Sequence, residues 1–149
     1  MMATQMLRQQ HRDIEQEIAL LEAHAHDSEE DFAALVVDLV AHLAAEAHGF
    51  YSVAEEALGQ PLAEQRWHHE RVRTAISRAV VGARDPESFP ALLFELAEAF
   101  KAHTRAEERA VHPSLEGVLG GERLVALGAE LGAIHSTIAT TLRAMEPQT

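Results

Sequence analysis

The chain has 149 residues, enough for one domain with a proper buried core, and 47% of them are hydrophobic although Phe, Trp and Tyr supply only 5%. That apolar content is largely Ala and Leu, which favours helix over sheet. A formal charge of -12 argues against nucleic acid or an anionic membrane surface as partner, and the lack of cysteine excludes disulfides, thiolate zinc sites and iron–sulfur clusters.

The opening MMATQMLRQQHRD lacks the apolar stretch of a signal peptide, and no apolar run looks long enough to span a bilayer. A soluble, cytoplasmic protein is expected. Five segments then carry apolar residues at alternating spacings of three and four, the seam of a packed helix. The first is Leu7, His11, Ile14, Ile18 and Leu21. Ser28, followed by Glu29, Glu30 and Asp31, reads as the N-cap and acidic first turn of the second. Its seam is Phe32, Leu35, Leu39, His42, Glu46, Gly49 and Val53. Gly59 is a stop and Pro61 a start. The third seam follows as Leu62, Gln65, His69, Val72, Ile76 and Ala79.

Asp85 reads as a cap with Pro86 at the first position of the fourth helix. Its seam is Phe89, Leu93, Leu96, Phe100, His103, Glu107, Ala110 and Ser114, and Pro113 is expected to end or kink it near His112. Gly120 and Gly121 precede the fifth seam, Leu124, Leu127, Leu131, Ile134, Ile138 and Leu142, which has no ionisable residue. Connections this short imply antiparallel neighbours. The expectation is a single all-α domain over 1–149: an up-down-up-down antiparallel four-helix bundle at about 4–118, with an additional C-terminal helix at about 122–145.

Histidine is over-represented, with ten in the chain. With that many His and nineteen Glu, chance alone produces roughly one H-x-x-x-E pair; five occur, and only His42/Glu46 and His103/Glu107 have both members on a seam. These two lie in an internal repeat, AHLAAE (41–46) and AHTRAE (102–107). Counting along the helices from each turn puts His11 and His42 both roughly 20 Å from the first connection, and His69 and His103 within a turn of each other. His11, His42, Glu46, His69, His103 and Glu107 therefore fall in one layer of the interior. Six inward polar groups must be matched or coordinated, and imidazoles with carboxylates suit iron, zinc or manganese. Four histidines and two glutamates form a natural two-metal set. The remaining histidines read otherwise: His24 and His26 near a helix C-terminus, His48, His68 and His112 off the seams and solvated. His135 is the one extra ligand candidate. Tyr51 and Trp67 read as packing or boundary residues, with Tyr51 able to reach the outer layer of the site.

This arrangement resembles the hemerythrin-like, HHE cation-binding family. Its pattern is one His on the first helix, H-x-x-x-E on the second, one His on the third and H-x-x-x-E on the fourth, and the resemblance covers roughly residues 5–118. Ala47 departs from the frequent H-x-x-x-E-E, which Glu107 and Glu108 keep. The resemblance implies two non-haem iron ions, bridged by carboxylates and an oxo or hydroxo group, binding, sensing or reacting with dioxygen, nitric oxide or peroxide. Oxygen carriers of this kind use five histidines against the four found here, which leaves room for a peroxide-decomposing (catalase-like) enzyme. An iron-storage or metal-structural bundle is the further alternative. A ferritin-like oxidase is disfavoured because Glu-x-x-His occurs nowhere in the chain.

Overall fold

The structure is a computed structural model, described for residues 1–24 and 29–145. Among these residues it is all-helical, with five helices and no strand. They are α1 (Ala3–Ala23), α2 (Glu29–Leu58), α3 (Ala63–Gly82), α4 (89–118) and α5 (Gly121–Ala144). The N-cap expected at Ser28 and the placement of His26 lie outside the described residues.

The amphipathic seams explain the packing. All five seam positions of α1 and all six of the third segment are buried. α1 lies against α2, α4 and α5; α3 packs on α4; α5 covers α2. Two large apolar clusters result, with a small third of Val37, Ala41 and Ala139 where α5 covers α2. One contains Ile14, Ile18, Leu35, Leu39, Val72 and Phe100, the other Leu7, Phe50, Tyr51, Leu62, Leu115 and Leu131. His11, His42, His69 and His103 each fall in sequence between residues of the two clusters, so a polar layer separates two dry ones.

Both α2 and α4 depart from α-helical geometry at one place each. The turn Glu46–Phe50 is π-helical, closed by a bond from the Tyr51 N–H to the Glu46 carbonyl. Glu107–Val111 repeats this, with the His112 N–H bonded to the Glu107 carbonyl. Each such turn holds one residue more than an α turn and moves the following seam by one position. The buried residues are consequently Phe50, Tyr51 and Ala54 where Gly49 and Val53 were expected, and Val111, His112 and Leu115 where Ala110 and Ser114 were expected. Pro113 neither ends nor breaks α4: it sits in the first turn after the π-helical stretch, and the helix continues to Val118.

Other boundaries also shift. α4 begins at Phe89, with Pro90 in its first turn. Asp85 accepts hydrogen bonds from the Glu87 N–H and the Ser88 hydroxyl, so it caps a preceding turn and Pro86 is not helical. Gly59, at φ 68°, ends α2 in the left-handed conformation that glycine adopts without strain. Gly49 permits a close approach: a Cβ there would lie 2.6 Å from Leu131 Cδ2 and 3.0 Å from Ile134 Cδ1 on α5. Continuous across its π turn, α2 spans 30 residues and contains an 18-residue window of mean hydropathy 1.3, so one helix is long and apolar enough to cross a membrane by length and composition. This corrects the expectation that no such run exists. Half of that window is buried inside the molecule, and the same helix carries His42 and Glu46.

Candidate metal centre

Five of the six expected ligands converge. One donor atom each from His11, His42, Glu46, His103 and Glu107 lies within 4.8 Å of all the others, and every one of these side chains is buried. α1 supplies His11, α2 supplies His42 and Glu46, and α4 supplies His103 and Glu107. The i, i+4 spacing sets each glutamate one turn beyond its histidine on the same face. Each π turn begins at the glutamate itself.

The carboxylates stand between histidines of different helices. Glu46 Oε1 is 3.0 Å from His42 Nε2 and 2.9 Å from His103 Nε2, while its Oε2 is 3.9 Å from His11 Nε2. Glu107 Oε1 is 2.7 Å from His103 Nε2 and 3.8 Å from His11 Nε2. These approaches lack hydrogen-bond alignment. The inward nitrogens of His11, His42 and His103 and all four carboxylate oxygens have no hydrogen-bond partner among the described residues. A buried polar atom left so costs about 1–3 kcal/mol, and the layer together would rival a whole domain's stability of about 5–15 kcal/mol. A cation resolves the conflict, and imidazole nitrogens with carboxylate oxygens suit iron, manganese or zinc.

One nitrogen each of His11, His42 and His69 is already engaged, whereas His103 Nδ1 has no partner among the described residues. His11 Nδ1–H donates to Glu108 Oε2 at 2.8 Å, and His42 Nδ1–H donates to Gln10 Oε1 at 2.7 Å. His69 Nε2–H donates to the Leu43 carbonyl at 3.0 Å, which leaves Nδ1 as the nitrogen able to bind. Metal-binding histidines are held in this way, one nitrogen fixed by an oxygen acceptor and the other presented to the ion. Below the layer, Phe100 meets His11, His42 and His103 with ring centroids 5.7–5.9 Å apart.

Electrostatics follow from burial and proximity. Burial pushes His42 down to about 4, against the pull of Glu46. Burial opposes ionisation of Glu46, yet His103 and His42 beside it hold its carboxyl well below the usual range. Glu107 is pushed well above that range by burial and by the Glu46 charge. His103 is raised despite its burial, because Glu107 and Glu46 face it. Without a cation, protons take the place of positive charge in the layer.

His69, the sixth expected ligand, lies outside the converging group. Its ring is 6.1 Å from that of His103 and 5.5 Å from that of Tyr51. His112 corrects the sequence reading: it is fully buried, not solvated, because the π turn rotates it inward. His48 is exposed and His68 half-buried, while His135 is half-buried with Asp38 and Arg143 nearby. Trp67 is a surface residue under the Arg71 guanidinium. Tyr51 is buried with its hydroxyl unpartnered. The sequence reading did not single out Glu108 and Gln10, the hydrogen-bond partners of His11 and His42, although each adjoins a seam residue of the cluster. The internal repeat carried a signal for His112: the 61-residue offset between His42 and His103 also relates Tyr51 to His112.

The hemerythrin HHE cation binding domain family model matches residues 62–149. Comparison with curated proteins and with solved structures finds no match. The matched span contains His69, His103 and Glu107, and the fold brings His11, His42 and Glu46 to the same layer from outside it. With more than half of the chain matched, the protein belongs to the hemerythrin HHE cation-binding family.

Proposed function

We propose that this protein binds two non-haem iron ions and uses them to bind, sense or react with dioxygen, nitric oxide or peroxide. The observation that carries the reading is the buried convergence, between two apolar clusters, of three histidines and two glutamates whose inward donor atoms have no hydrogen-bond partner among the described residues. In this reading α1 to α4 form an antiparallel up-down-up-down bundle around the site, and α5 is the additional helix. His11, His42 and His103 would hold the ions with their inward nitrogens and His69 with Nδ1, and Glu46 and Glu107 would supply the carboxylates. Bound iron supplies a redox-active Lewis acid able to take a small oxygen or nitrogen ligand.

The chain's own residues supply the rest. A groove of about 530 Å³ between α2 and α3, lined by Leu43, Ala44, Ala47, His69 and Arg73 among others, leads toward the layer from the His69 side. It gives a small molecule a route while the apolar clusters keep bulk water out. Burial pushes the Tyr51 phenol far above its ordinary range, so it keeps its proton and can donate a hydrogen bond. That unpartnered donor beside His69 is the observation favouring a second reading, peroxide decomposition, in which a protonated oxygen must be held and released.

Anaerobic iron loading, metal counting and optical spectra after dioxygen, azide or peroxide test the reading. Fewer than about 1.5 metals per chain rejects a two-metal centre. A stable adduct supports binding or sensing; slow oxidation without an adduct, beside fast peroxide loss, supports the enzyme. Zinc retained in preference to iron supports a structural bundle.

A further inference from the structure

Beyond the converging donors, one buried group belongs to no role described above. His112 is fully buried, and neither ring nitrogen has a hydrogen-bond partner among the described residues. Its ring lies nearly parallel to that of His11, at 7°, with centroids 6.1 Å apart. His69 stands at the same 6.1 Å from His103. By ring position, His112 relates to the α1 side of the layer as His69 relates to the α4 side.

The inward aim of His112 is built into the backbone. Continued at 3.6 residues per turn, α4 would carry position 112 about 140° away from the face that holds Glu107. The π turn Glu107–Val111 holds the extra residue that brings it back, and the closing bond is made by His112's own N–H. Phe50 closes the ring from one edge, with centroids 5.7 Å apart. A buried imidazole next to a metal layer, with no protein group on either nitrogen, has a lone pair available for coordination.

We propose that His112 is a further metal ligand, adding an imidazole on the His11 side of the centre. The inference rests on reading the layer as a metal centre and extends the ligand set beyond the six positions of the family pattern. It gives the two lone histidines, on α1 and α3, one flanking polar residue each: His112 for His11 and Tyr51 for His69.

The test uses the full chain, stripped of metal and reloaded anaerobically with Co(II). Wild type, His112→Phe, His112→Gln and His135→Ala are compared by equilibrium dialysis, visible Co(II) bands and circular dichroism. Both His112 variants are expected to lose about tenfold or more in affinity for one of the bound ions, with altered Co(II) bands. His135→Ala should change neither. Native-like His112 variants that keep wild-type affinity and bands overturn the proposal. Should neither variant fold, the wild type decides through ring-nitrogen shifts of the 15N-histidine-labelled, Zn(II)-loaded protein. A metal-shifted His112 nitrogen supports the proposal, and a free-imidazole shift overturns it. Wild type that binds no metal defeats the underlying reading, whereas loaded wild type with indifferent His112 variants defeats this inference alone.

Discussion

A histidine whose outer nitrogen is held by an acceptor presents the other nitrogen to a metal in a fixed orientation. Glu108 does this for His11 and Gln10 does it for His42, each through a hydrogen bond of 2.7–2.8 Å. Neither side chain is among the converging donors, so their loss should weaken binding without emptying the ligand set. Glu108→Ala and Gln10→Ala are each expected to lower metal affinity about 10–100-fold, as measured by competition with a chelator. Glu108→Gln, which keeps an acceptor oxygen, should cost less. The proton balance gives a second expectation. Glu107, through burial and the Glu46 charge, and His103, through Glu107 and Glu46 despite its burial, both hold protons more tightly than usual. An incoming cation must displace those protons. Affinity should therefore rise with pH, and go on rising above the ordinary carboxylate and imidazole ranges of about 4 and about 6.5. Competition titrations across that span check the sign, and an affinity flat with pH would reject it.

At the scale of elements, the two π turns decide both what the fold does and what a reader of the sequence can see. Strict three-and-four spacing located every buried residue of α1 used as a seam, and both His-Glu pairs, because up to each glutamate the helices are regular. After Glu46 and Glu107 it failed by one residue, since an extra residue in a turn leaves no mark on the apolar pattern that precedes it. Val111 and Leu115 are apolar and would have allowed the shifted seam, but Ala110 and Ser114 fit the unshifted one. The same displacement hid His112. Where the first π turn meets α5, Gly49→Ala should destabilise. Ala gains up to ~1 kcal/mol over Gly in a helix, but its methyl must displace Leu131, which is fully buried, at a cost of about 1–3 kcal/mol. A lower thermal midpoint with unchanged metal content is expected. Elsewhere on α1, burial and the Asp38 carboxyl raise Glu17 from 4.5 to about 8. Between those values the folded chain holds a proton that the unfolded chain has released, so stability falls as pH rises through this window. Glu17→Gln should flatten that decline in thermal melts and give the variant the higher midpoint above about pH 8.

For the molecule as a whole, the polar layer is where its two large apolar clusters fail to merge. Three helices contribute unpartnered groups there, so the layer works against folding until a cation joins them. Metal should then act as a fold-stabilising ligand by mass action, contributing about 4 kcal/mol when free metal is about 1,000 times its dissociation constant. For a chain of this size each kcal/mol moves the midpoint by about 2–4 °C, so loading should raise it by about 8–16 °C. The gain should be local as well. Amide exchange is expected to slow most around Glu46–Phe50 and Glu107–Val111, where the two converging glutamates head the π turns, and far less in α5, which supplies none of the converging donors. A loaded protein whose midpoint and exchange match the stripped protein would mean that the layer is satisfied by protons alone. The charge arrangement opposes that outcome. One raised carboxyl and one raised imidazole neutralise Glu107 and offset Glu46, but they leave the inward nitrogens of His11 and His42 without a partner.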